Sequence, residues 1–334
     1  CLSRMGSRVR VSSAPPTKAL EPPASGLFWF TTNDMNTSSN SHSMEKMLLT
    51  GASGFVGRHI LPLLSRSYAV TSLGRSAVNE ITADLTVCPP QLPQHYDVVL
   101  HVCGKAHTLP RTEAERQQFY QVNHIGTVNL CHALECVGAP KVFIYLSTVA
   151  VYGCDSGEEI DESHPLNGIT PYAHSKILAE QYLQGWCEKC GVRLVILRAP
   201  LMIGEGAPGN LGAMERGIVR RRFALIGGGK SRKSVLRVEH LAEIVQRVVE
   251  LGGIYNVCEI EHPTFADIAR EVATRVGEHS VPSVPLWLAR LLAWCGDAMQ
   301  MLTGHAMPIT SARLEKMTSN LTFSIAKARR DGVL

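Results

Sequence analysis

From Met47 onward, short apolar runs alternate with stretches whose apolar residues recur at helical spacing. The runs are continuous, a pattern typical of parallel strands that are covered on both faces. We predict strands at residues 47–50, 69–73, 97–102, 142–146 and 193–197, and helices at residues 56–66, 112–137 and 171–187. This order predicts an α/β fold with a doubly wound parallel sheet.

The alternation of strands and helices ends after about residue 200, where Gly, Pro and Arg become frequent and the predicted elements become shorter. We therefore predict a large α/β domain over residues 44–200 and a smaller region over 201–334 that closes over the strand ends. Residues 1–43 are rich in Ser, Pro, Thr and Asn and bury too little to order themselves. We expect this segment to be unstructured, or to lie upstream of a true start at Met44 or Met47, rather than to mark a lipoprotein.

The most hydrophobic late stretch is residues 284–294, which could lie on a membrane surface. Arg290 and Asp297 interrupt it, and it falls short of the ~20 apolar residues that a span needs. We predict a packed amphipathic helix and no membrane span.

Composition adds few constraints. The 334 residues are 45% hydrophobic and 19% charged, as in ordinary globular proteins. A formal charge of +4 is too small to predict nucleic-acid binding. Among ten cysteines, one C-x-x-C pair occurs, Cys187 and Cys190, without a second pair that would complete a metal site. We expect ordinary cysteines in the cytoplasm and no metal.

A glycine turn follows the first predicted strand and opens the first helix. Its spacing is Gly51, Gly54 and Gly57, with Phe55 and Val56 between the last two. In this context, backbone N–H groups and the helix N-terminus face a diphosphate, and larger side chains would block its approach. The turn predicts a dinucleotide site.

The residues that follow the second strand bear on which dinucleotide binds. An acidic residue there would bond a ribose 2′-hydroxyl, but the chain has Arg75 after Gly74, and Arg58 follows the glycine turn. A guanidinium can pair with a 2′-phosphate, so we predict NAD or NADP, with NADP slightly favoured. Asp84 and Leu85 suit the adenine edge.

A Tyr-x-x-x-Lys pair carries the candidate chemistry. Thr170 and Pro171 predict a helix start, which places Tyr172 and Lys176 one turn apart on the same face. A neighbouring ammonium would lower the tyrosine pKa, so that the phenol could act as acid or base near neutrality. Thr148, in the segment before this helix, offers a hydroxyl that could hold a substrate oxygen against Tyr172.

From about Met47 to its end, the chain resembles the extended short-chain dehydrogenase/reductases, the group called NAD-dependent epimerase/dehydratases. The resemblance rests on the segments 50–57, 99–104, 122–130, 147–153, 171–176 and 197–200 in this order. It implies a Rossmann-type fold with a small C-terminal substrate-binding region. It also implies that Tyr172 is the catalytic acid/base, that Lys176 binds the nicotinamide ribose and that the Thr148 hydroxyl orients the substrate. Asn123 would hold the active-site helix. The further cofactor contacts would be Cys103, Gly104 and Pro200, and the substrate-diphosphate contacts would be Asn210, Arg232 and Lys233.

One departure from the family pattern narrows the range of expected reactions. Dehydratases of this group carry an acidic pair after the threonine, where this chain has Val149 and Ala150, so we disfavour a 4,6-dehydratase. The resemblance implies hydride transfer at C4 of a nucleoside-diphosphate hexose in surface-polysaccharide precursor synthesis. Epimerase (isomerase) and 4-keto reductase (oxidoreductase) both stay open.

Two other functions and one assembly are also considered. The same fold could serve an NADP-dependent reductase of a steroid- or flavonoid-like ketone, or a non-catalytic cofactor-sensing protein. The resemblance further implies a homodimer that forms through residues 112–137 and 171–187.

Overall fold

A seven-stranded parallel sheet organises the computed structural model, which describes residues 44–303 and 310–334. The strands are β1 (Lys46–Thr50), β2 (Ala69–Gly74), β3 (Ile81–Thr82), β4 (Val98–His101), β5 (Val142–Thr148), β6 (Gly157–Ile160), β7 (Arg193–Ala199), β8 (Leu201–Ile203), β9 (Leu225–Ile226), β10 (Val235–Arg237), β11 (Gly253–Asn256), β12 (Ser283–Val284) and β13 (Leu321–Phe323). The large sheet has the order β3-β2-β1-β4-β5-β7-β11. The predicted doubly wound, Rossmann-type sheet is confirmed: all seven strands are parallel, and the strand order reverses between β1 and β4.

The helices are α1 (Phe55–Leu64), α2 (Glu113–Tyr120), α3 (Gly126–Val137), α4 (Pro171–Cys190), α5 (Gly209–Val219), α6 (His240–Val248), α7 (Phe265–Arg275), α8 (Leu286–Thr303), α9 (Ser311–Thr318) and α10 (Ala326–Arg330). A π-helical turn over Gln121–Ile125 joins α2 to α3. The predicted helix over residues 112–137 is therefore continuous but changes its hydrogen-bond pattern in the middle. Among the described helices, none has the length and apolar content that crossing a membrane requires.

Two apolar cores lie on opposite faces of the sheet, which explains why the strand sequences are continuously apolar. Met47 and Leu49 of β1 pack in one core, whose helical residues include Ile60 and Leu241. Leu48, between them, packs in the other core with residues of α3 and α4. Successive side chains of a strand point to opposite faces, so residues 47–50 of β1 are buried on one side or the other.

Part of the chain after residue 200 returns to the large sheet. β11 pairs with β7 in parallel register, and α6 packs in the same core as β1. The remaining short strands form three separate pairs, β10 with β8, β12 with β9, and β13 with β6. The sequence analysis did not identify β11, because a four-residue strand that starts at Gly253 gives little periodic signal.

Helix α8 packs on one face and is uncovered on the other. Ala289 and Ala293 are buried against Leu314 of α9. Trp287 and Trp294 are 67% and 66% exposed. The predicted packed amphipathic helix is thus right for one face, while the opposite face is apolar and open.

The close packing of the glycine turn makes a test of the fold. A Cβ at Gly57 would lie 2.4 Å from both Ala52 Cα and Gly51 O, so backbone atoms would have to move. We expect Gly57→Ala to lower the free energy of unfolding by about 1–3 kcal/mol, measured by urea unfolding.

Gly185→Ala is the matched control, because a Cβ at this exposed position of α4 meets no described atom within 4 Å. Helix propensity should then raise the free energy of unfolding by about 1 kcal/mol. Equal effects of the two substitutions would contradict the packing argument.

Candidate active site

One cavity of about 860 Å³ lies at the carboxyl ends of the central strands. It is lined by most of the residues that we predicted to bind the cofactor or to carry the chemistry: Gly51, Gly54, Phe55, Val56, Gly57, Arg75, Asp84, Leu85, Cys103, Gly104, Thr148, Tyr172, Lys176 and Pro200. The sheet therefore brings together residues that are far apart in sequence, as expected for the reversal point of a doubly wound sheet.

The glycine turn forms the floor of this cavity. Gly51 has a φ of 72° and donates its N–H to Leu73 O at 2.8 Å. A Cβ here would lie 2.8 Å from Cys103 Cα, so only glycine fits between β1 and β4. Helix α1 begins directly afterwards at Phe55. Its N-terminus lies at the cavity wall, where the N–H groups and the helix dipole suit an anionic diphosphate.

Arg75 and Asp84 place opposite charges at one end of the cavity. A hydrogen bond from the Thr86 N–H lowers the pKa of the Asp84 carboxyl, and the Arg75 charge lowers it further. Arg58, the other predicted partner of a 2′-phosphate, instead donates to Glu205 O and Gly206 O, at 3.3 and 3.2 Å, and does not line the cavity. Of the two arginines, Arg75 is the one available to a ligand.

The Tyr172–Lys176 pair stands on the first turns of α4. The Thr170 side chain accepts the Ala173 N–H, and Pro171 occupies the first helical position, so the predicted helix start is confirmed. Lys176 Nζ donates to Leu146 O at 2.8 Å and lies 4.4 Å from the Tyr145 ring centroid. Burial lowers the pKa of Lys176 to about 8.

The pKa of Tyr172 differs from our prediction. Burial raises it above the ordinary tyrosine value, and a hydrogen bond with Thr148 opposes this rise. The predicted lowering by Lys176 is wrong for this structure, because the ammonium is held on the Leu146 carbonyl and burial dominates. Tyr172 is therefore protonated at neutral pH and ready to donate a proton.

A buried ionic network lies behind the pair. Arg198 Nη2 and Glu180 Oε2 are 2.7 Å apart, and both residues are almost fully buried. Glu180 also accepts the Ser147 hydroxyl. Arg198 Nη1 donates to Tyr152 Oη at 3.1 Å, and Tyr152 donates to Asn256 at 2.7 Å. The sequence analysis included Arg198 in a motif but missed its pairing with Glu180, which lies one helical turn after Lys176.

A second buried chain of hydrogen bonds links the glycine turn to the helices. Thr50 Oγ1 accepts the Cys103 N–H and lies 2.6 Å from His101 Nδ1. His101 Nε2 is 3.0 Å from Thr127 Oγ1, whose hydroxyl donates to Asn123 O. This order of donors requires a neutral His101 that is protonated on Nε2. Burial lowers its pKa to about 3.

Asn123 lies in the π-helical turn and ties α4 to the cavity wall. Its Nδ2 donates to Ser175 Oγ at 2.9 Å and to Lys105 O at 3.1 Å. Its Oδ1 accepts the Lys105 N–H at 2.7 Å. The structure thus contains the contact with the active-site helix that the resemblance implied.

The cavity residues that were not predicted include Lys105, His107 and Gln118. Lys105 Nζ donates to Gln118 Oε1 at 3.0 Å. His107 has a φ of 63° and packs close to Gly209. Lys105 and His107 follow the carboxyl end of β4, a position that could have indicated them.

The predicted substrate residues Asn210, Arg232 and Lys233 do not line the cavity. Asn210 is exposed in the first turn of α5. Arg232 Nη1 donates to His262 O at 2.9 Å, and Lys233 Nζ donates to Ser319 O at 2.8 Å. Their substrate role stays a prediction.

Comparison with known proteins gives the site a context. Residues 47–258 match the model of the NAD dependent epimerase/dehydratase family. One curated relative is the N-acetyl-alpha-D-glucosaminyl-diphospho-ditrans,octacis-undecaprenol 4-epimerase of Escherichia coli O157:H7. It is 28% identical over 304 residues, which cover 86% of this chain and 90% of the relative.

Two solved structures are similar over most of the chain. The structure of RMD from Pseudomonas aeruginosa complexed with NADPH has a TM-score of 0.60 and 25% identity, and covers 72% of this chain and 87% of that protein. The UDP-glucose 4-epimerase of Thermus thermophilus, in complex with NAD, has a TM-score of 0.63 and 21% identity, and covers 86% and 93%. The second likeness concerns the fold alone.

The buried His101 predicts an acid-sensitive stability. Its pKa of about 3 in the folded protein lies below the ordinary 6.5, so between these values the unfolded chain binds the extra proton. The free energy of unfolding should then fall by about 1.4 kcal/mol per pH unit as the pH drops from 6.5 towards 3.

His101→Gln removes this titration, and urea unfolding from pH 8 to pH 4 should show a shallower decline than in the native chain. His279→Gln, at an exposed position, is the matched control. An unchanged slope in His101→Gln would contradict the assignment.

Proposed function

Because this chain belongs to the NAD dependent epimerase/dehydratase family, we propose that it transfers a hydride at C4 of a sugar carried on a diphosphate, with NAD or NADP as cofactor. The observation that carries the proposal is the single cavity that joins the glycine turn to Thr148, Tyr172 and Lys176. The Escherichia coli relative acts on a diphosphate-linked sugar, which supports this substrate class over a steroid- or flavonoid-like ketone.

The residues of the chain fit such a cofactor. Gly51, Gly54 and Gly57 form the turn at the start of α1 that suits a diphosphate, and Lys176, which lines the same cavity, is the candidate contact for the nicotinamide ribose. A bound nicotinamide supplies or accepts the hydride. Thr148 and Tyr172 then hold the C4 oxygen and move its proton.

Both directions of the reaction use Tyr172. In its protonated form it donates to the oxygen of a 4-keto sugar, which is the step of a reductase. Oxidation of a C4 hydroxyl requires the phenolate, which a charged Lys176 would stabilise once a ligand draws the ammonium from Leu146 O. The Escherichia coli relative supports an epimerase.

A nucleoside-diphosphate hexose is the first candidate substrate, in a cytoplasmic pathway to surface polysaccharides. A polyprenyl-diphosphate sugar is the second. Two observations favour the second: the relative that covers 86% of this chain acts on such a lipid, and Arg232 and Lys233 are engaged with main-chain oxygens away from the cavity.

Tyr172→Phe tests the mechanism. We expect turnover to fall about 10²- to 10⁴-fold while cofactor affinity stays near that of the native chain, because the substitution removes the proton donor and little volume. Turnover would be measured on UDP-glucose, UDP-N-acetylglucosamine, their 4-keto derivatives and N-acetylglucosaminyl-diphospho-undecaprenol, with NAD, NADH and NADPH.

Tyr182→Phe, on the same helix but outside the cavity, is the matched control. Turnover at the native rate in Tyr172→Phe would contradict the proposed mechanism. The substrate that turns over in the native chain decides between nucleotide-linked and lipid-linked sugars.

Arg75 predicts the cofactor preference. If Arg75 pairs with a 2′-phosphate, Arg75→Ser should weaken NADPH binding about tenfold and leave NADH nearly unchanged. Asp84→Asn should weaken NADH and NADPH alike, because the carboxylate is expected at the adenine edge that both cofactors share. Calorimetric titration of both cofactors checks this, and equal losses of NADH and NADPH in Arg75→Ser would contradict the 2′-phosphate role.

A further inference from the structure

The uncovered face of α8 is apolar over its whole length. Trp287, Leu291 and Trp294 follow at helical spacing and are 67%, 49% and 66% exposed. Met299 and Met301 continue this surface, at 51% and 88% exposed. A helix that is apolar on both faces is normally buried on both. Here one face packs on α9 and the other meets no described residue that buries it.

The charged side chain on the exposed surface of α8 is a cation, and Glu315 of the neighbouring α9 is also exposed. Arg290 lies at its edge and makes no hydrogen bond or ion pair with any described residue. Asp297, the only acidic residue of α8, is turned to α9, where it accepts the Ser311 N–H at 3.2 Å. The exposed surface of α8 therefore combines tryptophans, aliphatic side chains and a cation without a carboxylate.

An exposed basic segment adjoins the helix through a short strand pair. Arg220, Arg221 and Arg222 are exposed, and their side chains make no hydrogen bond or ion pair with described residues. They lie shortly before β9, separated from it by Phe223 and Ala224, and β9 pairs in parallel with β12, which is followed by α8. Cations of this kind beside an apolar helix complement anionic headgroups.

We propose that α8, with Arg290 and the arginines at residues 220–222, docks on the surface of an anionic phospholipid bilayer. Tryptophan is favoured at the boundary between headgroups and acyl chains, where its ring is apolar and its N–H stays wet. Helix α8 lies flat on the bilayer in this arrangement and does not cross it. The expected dimer helices, at residues 112–137 and 171–187, are different elements, so that dimer would leave α8 uncovered.

This docking proposal does not depend on the proposed reaction, although membrane binding would suit a lipid-linked substrate. Full-length protein would be sedimented with sucrose-loaded vesicles of phosphatidylcholine and phosphatidylglycerol, or of phosphatidylcholine alone. We expect binding to the anionic vesicles that weakens with salt. Trp287→Ser combined with Trp294→Ser should weaken it at least tenfold, and Gln at residues 220–222 should weaken it severalfold.

Ile260→Ser is the matched control, since Ile260 is 64% exposed outside α8. Circular dichroism would verify that each variant is folded. A second measurement uses the intact α8: in a Trp29→Phe chain, the emission from Trp186, Trp287 and Trp294 should be quenched by brominated lipid, and Trp186 is buried.

Three results would overturn the proposal. The first is no binding of the native chain to either vesicle. The second is equal binding by the double tryptophan variant, or emission that brominated lipid leaves unchanged. The third is sedimentation velocity in which the tryptophan substitutions turn a dimer into a monomer without affecting vesicle binding, which would assign the face to a second copy of the chain.

Discussion

The buried pair of Glu180 and Arg198 is the interaction on which the arrangement of the site depends. It joins α4, which carries Tyr172 and Lys176, to β7 and, through Ser147, to the end of β5 beside Thr148. Removing one partner of such a pair costs about 3–5 kcal/mol, because the other charge is left buried without compensation. The pair therefore fixes the distance between the helix that carries Tyr172 and the strand that carries Thr148.

The same network extends into the C-terminal region. From Arg198 it continues through Tyr152 to Asn256 on β11, and Asn256 Nδ2 donates to Ile160 O and Ser324 O. Strand β11 and the C-terminal segment are thus linked to β7 by buried polar groups that hydrogen-bond to one another. Since each of these groups is costly to bury without a partner, the ties act together rather than singly.

Local patterns made much of the fold and the cofactor site predictable. Apolar runs, helical spacing, the Thr170 cap and the glycine turn are properties of neighbouring residues, and each appears in the structure near the predicted position. The predictions were poorer where the signal was short or distant. Strand β11 was missed, while the substrate roles expected of Arg232 and Lys233 by resemblance stay predictions.

The sequence by itself determined the parallel sheet, the glycine turn and the Tyr172–Lys176 spacing, because helix and strand periods and turn chemistry act within a few residues. Only the tertiary structure decided the protonation of Tyr172 and Lys176, the Glu180–Arg198 pair, and the open face of α8. These depend on burial and on partners distant in the chain. No local pattern records how much water a folded protein leaves around a side chain.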